Sequence, residues 1–158
     1  MFSILPILLT VPVLVLVAYC DLRFMRIPNV LSILLVVLFV GSSLVFPPND
    51  LLMRVSVAAG VFGLGFVGFC FRLLGGGDVK ILAALMLFVP VQNLEVFSFL
   101  FSGSLLLGVL TIVGLRRLPQ TAGHPWKSLS GSVKFPMGIS IALAGILHAV
   151  YLIASYSH

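Results

Sequence analysis

The sequence contains four acidic residues, and the two best suited to chemistry are Asp21 and Asp78. Asp21 ends an apolar run in "VAYCDLRF", and Asp78 follows three glycines and opens another apolar run in "LLGGGDVKILAALM". An acid at the edge of a membrane-length apolar segment is costly to bury, which makes it a candidate for function. Two carboxylates that lie close together share a proton, so that one activates water while the other polarises a carbonyl. If these two acids converge, their chemistry is that of an aspartic protease.

The residues around Asp78 suggest accessory roles. Gly75, Gly76 and Gly77 permit unusual backbone angles and let a substrate backbone approach without interference from a Cβ atom. Asp78 would stand at the start of the next helix, where the helix dipole favours its charged form and burial opposes it. Lys80 either stabilises an ionised Asp78, binds substrate backbone, or is a charge that reaches the lipid headgroups and orients the helix.

A purely structural interpretation of both acids must also be considered. Each carboxylate would then be neutralised at the headgroups by a basic neighbour: Asp21 by Arg23 or Arg26, and Asp78 by Arg72 or Lys80. His148, inside the last apolar segment, is a candidate proton relay, but a histidine bonded to a carbonyl of a neighbouring helix is commoner. Pro28 and Asn29 are expected to set the entry into the second helix, and Asp50 to cap the third.

Composition identifies the elements that must position these residues. The chain has 158 residues, of which 61% are hydrophobic and 8% charged, a composition typical of a membrane protein. Its apolar segments cover residues 3–20, 30–46, 51–74, 79–91, 94–115 and 135–154. They are apolar on all sides, which favours helices over barrel strands. We therefore expect an all-α, polytopic membrane helix bundle of about six transmembrane helices, forming one domain over residues 1–158. The fourth segment is short, so it is completed by the glycine turn or enters without crossing.

The basic residues predict how the bundle is oriented. Eight of the nine lie on alternate connections between the apolar segments, and Arg54 alone lies on the other side. The positive-inside rule makes those connections cytoplasmic and both termini extracytoplasmic. The net charge of +5 is thereby explained without nucleic acid as a partner. The same topology brings Asp21 and Asp78 to the cytoplasmic face. In the connection after the fifth segment, we expect Trp126 to anchor at the interface and the connection itself to gate access.

Two motifs carry a resemblance to a known family. The stretch "DLRFMRIPN" at residues 21–29, taken with "GGGDVK" at 75–80, resembles the type IV prepilin peptidases, which are GxGD intramembrane aspartyl proteases. The stretch "KFPMGISIALAG" at 134–145 is similar to that family's P-Y-G or P-F-G element, with Met137 in place of the aromatic residue. The short first connection, which lacks a cysteine pair, resembles the peptidase-only form found in Tad/Flp pilus systems and in archaeal preflagellin peptidases.

The resemblance implies a function and its residues. Asp21 and Asp78 would be the catalytic pair, acting without metal or cofactor. They would remove the short cytoplasmic leader of a pilin-like precursor in a bacterial or archaeal cytoplasmic membrane, with no methyltransferase activity. Membrane lipid and the pilus assembly machinery would be further partners. Two alternatives remain: a proton- or cation-coupled transporter that uses the same acids, and an inactive partner in pilus assembly.

Overall fold

The chain forms a bundle of helices. The computed structural model describes residues 5–116 and 136–156, so the predicted gate and its anchor Trp126 lie outside the described residues. The helices are α1 (Leu5–Leu8), α2 (Thr10–Phe24), α3 (Asn29–Val45), α4 (Leu51–Cys70), α5 (Gly76–Met86), α6 (Leu94–Arg116) and α7 (Met137–Tyr156), with a 3₁₀ turn at Val91–Asn93. No strand occurs within the described ranges. The predicted all-α class is confirmed.

Four helical segments are long and apolar enough to cross a bilayer. They are Leu5–Phe24, Leu51–Cys70, Val91–Leu115 and Met137–Ser155. Because a helix rises about 1.5 Å per residue, the 17 residues of α3 reach about 25 Å, close to the roughly 30 Å of a hydrocarbon core. The chain is therefore a multi-pass membrane protein, as its composition predicts.

Helix α5 is much shorter than its neighbours. Its 11 residues reach about 16 Å, roughly half of the hydrocarbon core. It begins at Gly76 and ends at Met86, whereas the apolar pattern places the fourth segment at residues 79–91. The residues after it turn towards Pro90, which lacks the N–H needed to continue a helix. Despite its length it lies in the core, packed against α3, α4 and α7.

Close packing of α2 against α7 completes the centre of the bundle. A Cβ atom on Gly145 would come 2.6 Å from Leu14 Cδ1 and 3.1 Å from Leu85 Cδ2, so α7 approaches both neighbours at a distance that only glycine allows. Leu14 and Leu85 are fully buried. Small residues of this kind allow van der Waals packing, which drives helix association in lipid.

An ionic cluster fixes the end of the bundle opposite Asp21 and Asp78. Asp50 occupies the position before α4, but its side chain does not cap that helix, so the predicted cap is wrong. Instead, Asp50 Oδ1 lies 2.7 Å from Arg54 Nε, and its Oδ2 accepts the Val91 N–H at 3.1 Å. Partial burial raises the pKa of Asp50, but the Val91 amide and the Arg54 guanidinium outweigh it and hold that pKa below its ordinary value. Because these bonds stabilise its charge, the carboxylate ties the start of α4 to the start of the 3₁₀ turn.

Candidate active site

Asp21 lies in the last turn of α2, where the helix is sharply ended. Met25 takes a left-handed conformation with φ of 51°, and its N–H donates to the Asp21 carbonyl at 2.9 Å. A left-handed residue of this kind is a common helix terminator. Proline disfavours a helical conformation at Ile27, and α3 then starts at Asn29. The carboxyl group of Asp21 is left inside the protein, with the residue only 5% exposed.

Asp78 is held by the first turn of its own helix. Gly75 precedes α5 and Asp78 is its third residue, the arrangement in which an acidic side chain reaches back to the backbone before the helix. Its carboxylate is stabilised by the Gly75 backbone. A Cβ atom on Gly75 would collide with Asp78 Oδ2. Glycine at position 75 is therefore needed for the carboxylate to take this place.

The other two glycines allow close contacts within the protein. A Cβ atom on Gly77 would lie 3.1 Å from Ile27 Cβ, and one on Gly76 would lie 3.3 Å from Phe69 Cε2. The start of α5 thus packs closely against the connection between α2 and α3. Contact between these glycines and a substrate stays a prediction.

The two acids, distant in sequence, meet at one cavity. Asp21 and Asp78 both line a cavity of about 290 Å³, together with the three glycines and with Met25, Arg26 and Ile27. Asp78 lies outside the four long spans. Burial raises its pKa to about 7, the negative charge of Asp21 adds to this rise, and the Gly75 amide opposes it. The site can therefore hold one proton and one negative charge near neutral pH.

Asp21 has a partner that the sequence did not reveal. The N–H of Gly138, in the first turn of α7, donates to Asp21 Oδ2 at 2.6 Å. The Ile139 amide also stabilises this carboxylate. A Cβ atom on Gly138 would lie 2.8 Å from Asp21 Oδ2 and 2.8 Å from Ile27 Cδ1. Free N–H groups at a helix start favour an anion, so the "PMG" element holds the Asp21 carboxylate in place.

The basic neighbours do not neutralise the two acids. Among the described side chains, the one ion pair joins Arg54 to Asp50. Lys80 Nζ donates to Asn29 Oδ1 at 3.0 Å, and Arg23 donates to the hydroxyl of Tyr19. The structural interpretation of Asp21 and Asp78 as members of headgroup ion pairs is therefore wrong for these residues. Stabilisation of an ionised Asp78 by Lys80 receives no support from this contact.

His148 is buried away from the acid pair. It is fully buried, and neither ring nitrogen has a hydrogen-bond partner among the described residues, so the expected carbonyl bond is wrong. Its ring lies 5.6 Å from that of Phe97 and 6.2 Å from that of Tyr151, measured between centroids. Ten residues of α7 separate it from Gly138, about 15 Å along the helix. It does not line the cavity that contains Asp21 and Asp78, and a role as a proton relay stays a prediction.

A known family matches most of the chain. A family model described as the type IV leader peptidase family matches residues 8–113. The chain belongs to the type IV leader peptidase family. The matched range contains both acids and ends before Gly138. No curated protein and no protein of solved structure matches the chain in the corresponding comparisons. The predicted resemblance is confirmed, and this family member is a peptidase in a multi-pass membrane bundle. In its described part, no group of three His, Cys, Asp or Glu side chains could hold a metal ion.

Proposed function

We propose that the chain is an aspartic endopeptidase that removes the cytoplasmic leader of a pilin-like precursor, with Asp21 and Asp78 as its catalytic pair. The observation that carries this proposal is the shared cavity, which is lined by both carboxyl groups and by three glycines. Family membership supplies the peptidase activity, and the matched range includes both acids. A transporter that uses the same acids gains no support from the family match.

Backbone hydrogen bonds and the mutual charge effect distinguish the two acids. Two backbone amides at the start of α7 favour the charged form of Asp21. Asp78 has a backbone amide too, but it faces the negative charge of Asp21, and its raised pKa keeps it protonated up to about pH 7. We assign the general base to Asp21 and the general acid to Asp78. The pair titrates as a unit, so this assignment concerns where the shared proton resides.

The reaction follows from this assignment. Asp21 takes a proton from water while the water oxygen bonds to the carbonyl carbon of the scissile peptide, and Asp78 gives its proton to the carbonyl oxygen. In the tetrahedral intermediate, Asp21 passes its proton to the peptide nitrogen and the carbon–nitrogen bond breaks. Asp78 recovers its proton from a hydroxyl of the intermediate. Both acids return to their starting states, and one water molecule is consumed.

The surroundings of the cavity suit a substrate that lies in the membrane. The cavity lies at the end of α2 and the start of α5, next to the short connection that includes Arg26. The positive-inside rule places this connection in the cytoplasm, so the leader and water would enter from that side. The connection spans only the residues between Phe24 and Asn29, and this short length supports the proposal of a peptidase without methyltransferase activity. Membrane lipid surrounds the bundle, and the pilus machinery would receive the product.

Substitution of each acid tests the proposal. Purified chain in liposomes is incubated with a precursor that carries a basic leader, and leader removal is followed on gels. We expect Asp21→Asn and Asp78→Asn each to abolish cleavage, because each removes one of the two proton-transfer groups. Glu95→Gln is a matched control, since Glu95 is an exposed acid at the start of α6. Cleavage that persists in both aspartate variants would refute the pair, and solute uptake lost in the same variants would favour the transporter.

A further inference from the structure

An open apolar groove lies beside the candidate active site. It measures about 550 Å³, with α3 and α4 as its walls and α5 as its floor. We call it the α5 groove. Its lining includes Ile33, Val37, Ala58, Phe62, Ala83 and Ala84. Apart from Asn29, Ser32 and Lys80, the lining side chains are apolar, which suits an apolar occupant.

The groove opens towards the lipid because α4 stands apart from the rest of the bundle. Its main packing partner among the described helices is α5, and Ala58 is its one buried residue. On the opposite wall, Ile33 and Val37 are 61% and 59% exposed. A helix in the membrane can therefore enter this groove sideways, without any helix of the bundle leaving its place.

The floor of the groove suits a helix better than a lipid chain. Ala83 and Ala84 form part of the floor and Ala58 part of a wall, so the occupant's backbone can approach closely. Small residues of this kind are typical of helix–helix interfaces in membranes, where close packing drives association. A flexible acyl chain would gain less from these small side chains, because it has no helical backbone to pack against them.

The groove and the catalytic cavity are adjacent, because both are lined by the start of α5 and by the chain around the start of α3. Ile27 and Asp78 line the cavity, and Asn29 and Lys80, each two residues further along, line the groove. A peptide whose scissile bond lies between the two acids therefore reaches the groove within a few residues. The groove and the cavity together form one path along the first turns of α3 and α5.

Lys80 marks the end of the groove that is nearest the cavity. Its ammonium group bonds to the neutral side chain of Asn29 and has no carboxylate partner among the described residues. Two of its three N–H donors remain for an occupant. An acidic side chain in the first turns of a bound helix would complement this cation.

We propose that the α5 groove holds the apolar helix that follows the scissile bond of the precursor, and that Lys80 binds an acidic side chain near the start of that helix. This inference rests on the proposed function, since it assigns a place to the substrate of that reaction. It gives the precursor helix a role in recognition, in addition to the sequence around the cleaved bond.

Photo-crosslinking tests which molecule occupies the groove. The probe is a synthetic precursor with a basic leader, an apolar helix of about 20 residues and one glutamate in its first two turns. A photoreactive residue replaces Val37 in the groove or, as a control, Leu110 on α6, and Asp78→Asn prevents cleavage. The two positions are matched, because Val37 is 59% exposed and Leu110 is 61% exposed. We expect precursor adducts from position 37 at several times the yield from position 110. Equal yields, or adducts to lipid alone at position 37, would overturn the groove assignment.

Kinetics separate this inference from the proposed function. Val37→Trp fills the groove, and we expect it to raise KM for the precursor at least tenfold, whereas Leu110→Trp leaves KM unchanged. Lys80→Met should raise KM for the glutamate-containing precursor several-fold more than it raises KM for a precursor with glutamine there. Normal cleavage by Val37→Trp would refute the groove while the proposed function stands. Failure of the unsubstituted chain to cleave any precursor would refute the proposed function, and this inference with it.

Discussion

Replacing Gly138 with alanine tests whether its amide positions Asp21. The added Cβ would lie 2.8 Å from Asp21 Oδ2, whereas ordinary contacts begin at 3.4 Å, so the atoms must separate by 3.4 − 2.8 = 0.6 Å. Ile27 Cδ1 crowds the same Cβ at 2.8 Å, so little room is left for the shift. A misplacement of about 1 Å in an active site can cost about 100-fold in rate. We therefore expect kcat to fall by about 10- to 100-fold, a loss of about 1.4–2.7 kcal/mol in transition-state stabilisation.

The assay must separate this effect from a loss of folding. Initial rates of leader removal are measured in liposomes and divided by the folded fraction, which is taken from a thermal unfolding curve. Gly145→Ala, on the same helix, is crowded by Leu14 at 2.6 Å but lies away from the acids. Overpacking costs about 1–3 kcal/mol of stability in either variant, and only Gly138→Ala should lose activity per folded molecule. Gly103→Ala adds its Cβ to open space and sets the baseline. A rate for Gly138→Ala within twofold of that baseline would refute the positioning role.

Three further predictions concern protonation, local packing and the far end of the bundle. Cleavage should slow as pH rises through about 7, because Asp78 then loses the proton that its raised pKa retains below that pH; a rate that keeps rising to pH 9 would contradict this. Gly75→Ala should lower kcat at least tenfold, because its Cβ would displace the Asp78 carboxylate, whereas Gly60→Ala, whose Cβ meets no atom within 4 Å, should cleave normally. Arg54→Met should lower the free energy of unfolding by about 1–3 kcal/mol, because Asp50 loses its charged partner and keeps only the Val91 N–H, and unchanged thermal stability in detergent would refute this.

The fold class and the pair of acids were accessible to sequence reasoning because their signals are local. A hydrophobic segment of membrane length can be recognised from the composition of about 20 consecutive residues. The sequence predicts that the two acids lie close together, because the positive-inside rule assigns the end of α2 and the start of α5 to the same face of the membrane. The cavity shared by Asp21 and Asp78 agrees with that expectation.

Other features lacked a local signal. The bond from Gly138 to Asp21 joins residues 117 positions apart, and the "PMG" stretch does not indicate which side chain it contacts. Asp50 has the sequence position of a helix cap, but tertiary contacts with Arg54 and Val91 take both of its oxygens. The early end of α5 has only the signal of Pro90, four residues further on, because the residues directly after Met86 are as apolar as those before it. For Asp50, contacts made in three dimensions outweigh a local preference.

Three separate helices build the acid pair: α2 carries Asp21, α5 carries Asp78, and the first turn of α7 supplies the Gly138 amide. In the proposed mechanism, a chain still emerging from the ribosome already possesses both acids before α7 has been made. It lacks the Gly138 N–H that holds the Asp21 carboxylate in place. The site is therefore completed only when the last helix packs against α2 and brings the Gly138 N–H to Asp21.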